Sequence, residues 1–301
     1  MSGVHIGVDI GGTKIDAVVV DENAEVLGRH RIPVRKGAEG VVSAAVEAVG
    51  TLTQEAGISV ADAVTVGIGI PGTVTDGVVR YAQNLELNEL DLASALREVW
   101  GRKVYVENDV SAAAVGAWKL VGGDARSVAY LNLGTGLAAG IILNGELWRG
   151  AYGAAGEIGY LSVDPMGPKD FEGCPGNLET YASGSGIVSQ WPEPGVDARS
   201  ILLLAAQGDA RAVEIQERLY FGVASAIRAL VLAYDVEEVI LGGGLTGLGD
   251  SLMEGTSRVL NDWASQSAFV NSLKLVERTR TLSGHRHVPA IGAALLGVEH
   301  G

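Results

Sequence analysis

Short apolar runs separated by glycine-containing turns dominate the chain and predict strands. His5–Asp9 is one such run, Gly11-Gly12-Thr13-Lys14 a turn, and Ile15–Val20 a second run rich in β-branched residues. Asp21–Ala24 then turns the chain into a third strand near Val26-Leu27-Gly28, which predicts a three-stranded antiparallel unit. The pattern returns further on. Val128–Leu133 is a strand, Gly134-Thr135-Gly136 a turn, Leu137–Leu143 a strand, and Asn144-Gly145 a hairpin turn into Glu146-Leu147-Trp148. Placing Asp9-Ile10-Gly11 on Asn132-Leu133-Gly134 also places Val18–Val20 on Ile141–Leu143, both at an offset of 123 residues. A whole supersecondary unit is repeated.

Helical spacing appears between and after the repeats. Val42, Ala45, Val46 and Val49 mark one face of a helix over Val41–Glu55. Val64–Ile70 reads as a buried strand ending at Pro71-Gly72, and Val110–Leu120 as an Ala-rich helix. Ala210–Tyr234 is a long amphipathic helix, followed by strand Val239–Leu241 and the run Gly242-Gly243-Gly244. Pro289–Val298 reads as a closing helix that packs back on the first half. The pattern predicts an α/β protein of two lobes with a related core in each. Residues 1–117 with 288–301 form the smaller N-terminal lobe, and 118–287 the larger C-terminal one.

Composition narrows the classes. Of 301 residues, 47% are apolar and 19% charged, as in an ordinary globular chain. The 43 glycines lie between apolar runs rather than in a periodic tract, which excludes collagen. The formal net charge of −14 repels a phosphate backbone. The densest basic stretch, Arg29–Lys36, is broken by Ile32, Pro33 and Val34, so no nucleic-acid partner is expected. No apolar run reaches the ~18–20 residues of a membrane span. The start lacks a signal-peptide pattern, and the one cysteine, Cys174, cannot form an intrachain disulfide. A cytoplasmic protein is expected.

Asp9 ends a strand beside a glycine turn. Such turns let backbone N–H groups approach phosphate oxygens, and a carboxylate there can hold Mg²⁺ directly or through water. The other reading of Gly11, Gly12, Thr13 and Lys14 is a plain hairpin. The spacing is not that of a Walker A loop. Gly134, Thr135 and Gly136 form the equivalent turn. The Gly242–Gly244 run suits a backbone packed on a nucleotide base or ribose, or a simple strand-to-helix turn. Asp109 has two readings as well, an N-cap for the helix from Val110 or a base that accepts the proton of a hydroxyl. Both hold together only if the backbone rather than the carboxylate satisfies the helix start. Asn84, Glu157 and Glu179 are of the types that hold sugar hydroxyls, although a lone loop Glu is usually just solvated. His285 and His287 form an H-x-H that reads as an exposed loop.

The ordered set Asp9-Ile-Gly-Gly-Thr-Lys14, Gly69-Ile-Pro71-Gly72, Asn84-Leu85, Glu107-Asn108-Asp109, Leu133-Gly-Thr-Gly136, Gly156-Glu157-Ile-Gly159, Leu178-Glu179-Thr-Tyr-Ala-Ser-Gly184 and Gly242-Gly-Gly244 resembles the ROK family across essentially the whole chain. That resemblance implies the two-lobe actin-like ATPase (ribonuclease H-like) fold, with an interlobe cleft, and an ATP- and Mg²⁺-dependent sugar kinase. Asp109 would be the base that activates a hexose 6-hydroxyl. Gly72, Asn84, Asn108, Asp109, Glu157, Tyr160 and Glu179 would bind the sugar. Gly11, Gly12, Thr13, Lys14, Gly134, Thr135, Gly136, Gly243 and Gly244 would bind the nucleotide, with Asp9 near Mg²⁺. A homodimer is common in the family. Many members carry His where this chain has Tyr160, and a C-x-C-G-x-x-G-C stretch where it has only Gly173-Cys174-Pro175-Gly176-Asn177. No zinc site is therefore expected, and the altered pocket points to a hexose or an amino hexose such as kanosamine, or else an N-acetylhexosamine. Polyphosphate serves some relatives as donor. Family repressors carry a helix-turn-helix before the first loop, whereas eight residues precede Asp9 here. A non-catalytic sugar sensor is the third reading, which the retained Asp9 and Asp109 oppose.

Overall fold

The computed structural model describes residues 3–170, 172–282 and 287–298. It opens with β1 (Val4–Ile10), β2 (Lys14–Val20) and β3 (Val26–Pro33), an antiparallel meander, followed by α1 (Ala38–Ala56) and β4 (Ala63–Ile70). A small antiparallel sheet of β5 (Thr73–Thr75), β6 (Val78–Ala82) and β7 (Leu87–Asp91) precedes α2 (Leu92–Trp100), β8 (Tyr105–Asn108) and α3 (Asp109–Leu120). Next come β9 (Ser127–Leu133), β10 (Leu137–Leu143) and β11 (Glu146–Leu147). Short helices α4 (Leu178–Ala182), α5 (Gly184–Ser189) and α6 (Ala198–Ala206) lead to the long α7 (Ala210–Tyr234) and β12 (Glu238–Gly242). The chain ends with α8 (Asp250–Gln266), α9 (Ala268–Ser272), β13 (Thr279–Thr281) and α10 (Val288–Ala294).

Two five-stranded sheets share one topology. The first runs β3-β2-β1-β4-β8 and the second β11-β10-β9-β12-β13. In each, a meander is followed by a strand parallel to its first member and then by one more parallel strand. Strands β1 and β2 recur as β9 and β10 at the offset of 123 expected from the sequence. β1 and β2 are buried along almost their whole length, which explains their unbroken apolar runs. β3 is an edge strand with Arg29, His30 and Arg31 in its middle, and only Ile32 is fully buried.

The chain forms two compact units. The first takes in the chain to Arg126, then Gly140–Ala155, and α10. The second holds Ser127–Ala139 and the chain from Gly156 through β13. Residue 118, near which the sequence suggested a boundary, lies inside α3, and a helix is not interrupted there. The closing helix stops at Ala294 rather than Val298, because Leu295–Gly297 turns and Gly297 takes φ +80°.

α10 lies against β1, β4 and α3 at unusually close range. A Cβ at Gly7 would fall 1.9 Å from the Ala290 carbonyl oxygen, and one at Gly67 1.9 Å from that of Ala293. Only bare backbone fits there. A buried relay fastens the end of the helix. The Thr65 hydroxyl donates to the Ala294 carbonyl (2.6 Å) and lies 2.7 Å from His5 Nδ1, which then donates to it. Burial pushes the His5 pKa down, in keeping with a neutral ring. His287 is not in an exposed loop as expected. Its side chain is only 10% exposed, and Nδ1 lies 3.8 Å from Asp16. His285 lies outside the described residues. Replacing Thr65 by Val leaves two buried polar partners unmatched, so urea unfolding of Thr65→Val should show a loss of about 1–3 kcal/mol; an unchanged midpoint would contradict the relay.

Candidate functional site

In the first unit the predicted residues gather at the carboxyl ends of the parallel strands. Asp9 sits on β1 opposite Gly69 of β4, and Gly69 is opposite Glu107 of β8. A Cβ on Gly69 would come 3.5 Å from the Asp109 Cα, which places the start of α3 directly beside β4. The first glycine turn is closed by the Gly11 N–H on the Lys14 carbonyl at 2.9 Å. Gly12 lies against Asn84, whose Cβ would be 3.4 Å from a Cβ added at Gly12. Lys14 and Thr13 are exposed beside the turn.

Asn108 and Asp109 share the start of α3. The residue before it is the N-cap. Asn108 Oδ1 accepts from the Val110 and Ser111 N–H groups at 3.0 and 3.1 Å, while its Nδ2 donates to the Gly72 carbonyl at 3.1 Å. The Asp109 carboxylate keeps one contact to the helix start, Oδ1 to the Val110 N–H at 3.0 Å. Asn108 is thus largely committed to holding Gly72 and α3. Gly72 itself has φ +100°, and a Cβ there would strike the Arg80 carbonyl at 2.4 Å, so glycine is required.

Electrostatics mark the same place. Burial, then the neighbouring Asp109 and Asp16, push the Asp9 pKa up from 3.8 to about 7. Burial also raises that of Asp109. Asp16 is balanced by Arg31, with Nε and Nη2 donating at 2.5 and 2.8 Å. A buried carboxyl whose pKa is raised this far is of the kind found at functional sites as well as in structural clusters.

In the second unit the second glycine turn is closed by the Gly134 N–H on the Gly136 carbonyl at 3.1 Å. The start of α5 braces it, with the Gly184 and Ser185 N–H groups donating to the Gly134 and Thr135 carbonyls at 2.8 and 3.0 Å. Glu179 on α4 accepts from the Leu137 N–H at 2.9 Å, immediately after the turn. Gly243, at φ +86°, lies on the backbone of Leu133, where a Cβ would come within 2.5 Å. These pieces surround a cavity of about 410 Å³ lined by Gly134, Thr135, Ser185, Val188, Gly244 and Leu245 among others. Its walls are mostly apolar with backbone amides beside it, which suits a flat heterocycle next to a charged group. The sequence reading missed Ser185, Val188 and Leu245. The Ser183-Gly-Ser-Gly186 run was the available signal.

Tyr160 ends a short 3₁₀ turn that follows Glu157, and both are exposed. Burial, then the carboxylates of Glu172, Glu179, Glu157 and Asp170, push the Tyr160 hydroxyl pKa up. Asp170, Glu172 and Cys174 bring potential ligand atoms within 4.8 Å of one another. The Asp170 oxygens already accept from the Glu172, Cys174 and Asn177 N–H groups at 3.0, 2.8 and 2.7 Å.

A family model described as ROK family matches residues 5–299. The chain belongs to the ROK family. It is 34% identical over 284 residues to a glucokinase of Streptomyces coelicolor, covering 87% of this chain and 88% of that one. It is 33% identical over 255 residues to an N-acetylmannosamine kinase of Yersinia pseudotuberculosis, covering 84% and 86%. The solved structure of a ROK family glucokinase from Streptomyces griseus in complex with glucose and AMPPNP matches with TM-score 0.76 at 30% identity, covering 97% and 98%. The duplicated sheet is the core of the actin-like ATPase fold. Among the described residues, no helix is long and apolar enough to cross a membrane.

The raised Asp9 pKa makes a directional prediction. Its carboxyl holds a proton more tightly folded than unfolded. Its contribution to stability is therefore greatest below pH 3.8 and is lost as pH rises to about 7. A bound cation favours the ionised form, so apparent Mg-ATP affinity should fall about tenfold per pH unit below about 7. The Asp9→Asn variant should lose that slope. Calorimetric titration at pH 5.5–8 measures both, and a flat wild-type profile would contradict the assignment.

Proposed function

We propose that this ROK sugar kinase transfers the γ-phosphoryl group of ATP to the 6-hydroxyl of a hexose or amino hexose, with Asp109 as the base. The single observation that carries the proposal is that Asn108 is the main N-cap of α3, which leaves Asp109 with one contact to the helix start, a Val110 N–H it shares with Asn108. A carboxylate at a helix start normally spends itself on the backbone. Here the neighbouring amide takes two of the orphan N–H groups, and the partly buried Asp109 remains to accept a hydroxyl proton as that oxygen attacks phosphorus. Burial keeps its pKa above the ordinary carboxylate value and makes it a better proton acceptor.

Asp9 supplies a hard oxygen donor where negative charge is in excess, which is the donor chemistry Mg²⁺ takes. The residues present fit that ion, and Asp9 would hold it directly or through water. Bound there with ATP, it would neutralise phosphate charge. The Gly12 and Gly134–Gly136 turns offer backbone amides to phosphate oxygens, and the cavity beside Gly244 takes the adenosine. The resemblance to the family makes Gly72, Asn84, Asn108, Glu157, Tyr160 and Glu179 the candidates for sugar binding, with Asn108 having only its second amide hydrogen left over from Gly72 and α3.

The carboxylates around Tyr160 support an amino hexose carrying a protonated amine, since their field favours a cation. The N-acetylmannosamine kinase relative favours a second reading, an N-acetylated hexosamine. An ATP-consumption screen over glucose, free amino hexoses and N-acetylhexosamines, ranked by kcat/KM, separates them. Free amino hexoses are expected to lead below the pKa of their amine. Asp109→Asn should lower kcat by about 10²–10⁴-fold while sugar affinity changes little. Wild-type turnover in that variant would refute the base assignment.

A further inference from the structure

Glu107 immediately precedes the Asn108-Asp109 pair and is among the most buried charged residues of the chain, with 5% of its surface exposed. Its Oε1 accepts from the Asn108 N–H at 3.0 Å, and its Oε2 from Arg149 Nε at 2.5 Å. Arg149 comes from far along the chain, just after β11, yet belongs to the same unit. Its guanidinium is the counter-charge of that carboxylate. The two side chains also form part of the wall of one cavity of about 650 Å³ with Tyr105 and Gly153.

A carboxylate this deep is tolerated only when paired, and removal of its partner forces the charge toward water or toward a proton. Either response disturbs β8 at the residue whose amide Glu107 accepts. That residue is Asn108, which caps α3 and holds Gly72. We propose that Arg149 is a positioning residue for phosphoryl transfer, fixing the Glu107-Asn108-Asp109 turn by pairing with buried Glu107. It touches no reacting atom. The inference rests on Asp109 being the base, and it deepens that reading by naming what holds the base in place.

The test compares Arg149→Met, Arg149→Lys, the double variant Glu107→Gln/Arg149→Met, and Asp109→Asn in steady-state kinetics on the full chain, using the best sugar from the screen. Arg149→Met should lower kcat by about 10–100-fold, as expected for a displacement near 1 Å, with KM for ATP within about threefold. Arg149→Lys should retain more of the rate because the charge remains. Glu107→Gln/Arg149→Met should recover most of the loss, because the uncompensated charge is gone and the amide oxygen can still accept from Asn108. Should Arg149→Met fold poorly, the Lys and double variants decide. Full kcat in Arg149→Met, or a folded double variant as slow as the single one, would overturn the proposal. If Asp109→Asn is inactive while Arg149→Met turns over normally, only the positioning role fails. If Asp109→Asn keeps its turnover, the base assignment fails instead.

Discussion

Asp9 is the penultimate residue of β1 and Asp109 follows β8, with Gly69 of β4 on the strand between theirs. Burial first, and then the charges of Asp109 and Asp16, let Asp9 hold its proton to about pH 7. A cation bound beside Asp9 would favour its ionised form. The nearby Asp16 pairs with Arg31 through two hydrogen bonds.

Close backbone approach is the second constraint. Glycine at positions 7 and 67 lets α10 press onto the first sheet, and glycine at 243 lets the turn after β12 lie on Leu133. The abundance of glycine is thus a packing device as well as a means of making turns. In the second unit the same economy leaves backbone amides next to an apolar cavity, and α5 braces the turn from behind through two N–H donors.

Much of this was legible in the sequence. The repeat at an offset of 123 gave the two matched antiparallel meanders to within a residue or two for their first two strands, because buried strands cannot avoid showing apolar runs, while the parallel strands that complete each sheet were not paired from sequence. Helices α1, α3 and α7 announced themselves by spacing. The small sheet β5-β6-β7 went unread, since its strands are short and half exposed. The cap at Asn108 was hidden because Asn and Asp are both good caps, and only coordinates show which one turns back on the helix. The Arg149–Glu107 pair joins residues 42 positions apart, and no local pattern reveals such a contact. His287 reads as a loop residue until its burial beside Asp16 is seen.

The central claim is that this chain moves a phosphoryl group from ATP to the 6-hydroxyl of a sugar. Its most direct test is phosphorus–proton correlation NMR of the product formed from ATP and the preferred hexose. The account predicts a sugar phosphate whose phosphorus couples to the two protons on C6, formed in step with ADP. Phosphorus coupled to the C1 proton, or ADP accumulating with free phosphate and unaltered sugar, would contradict it.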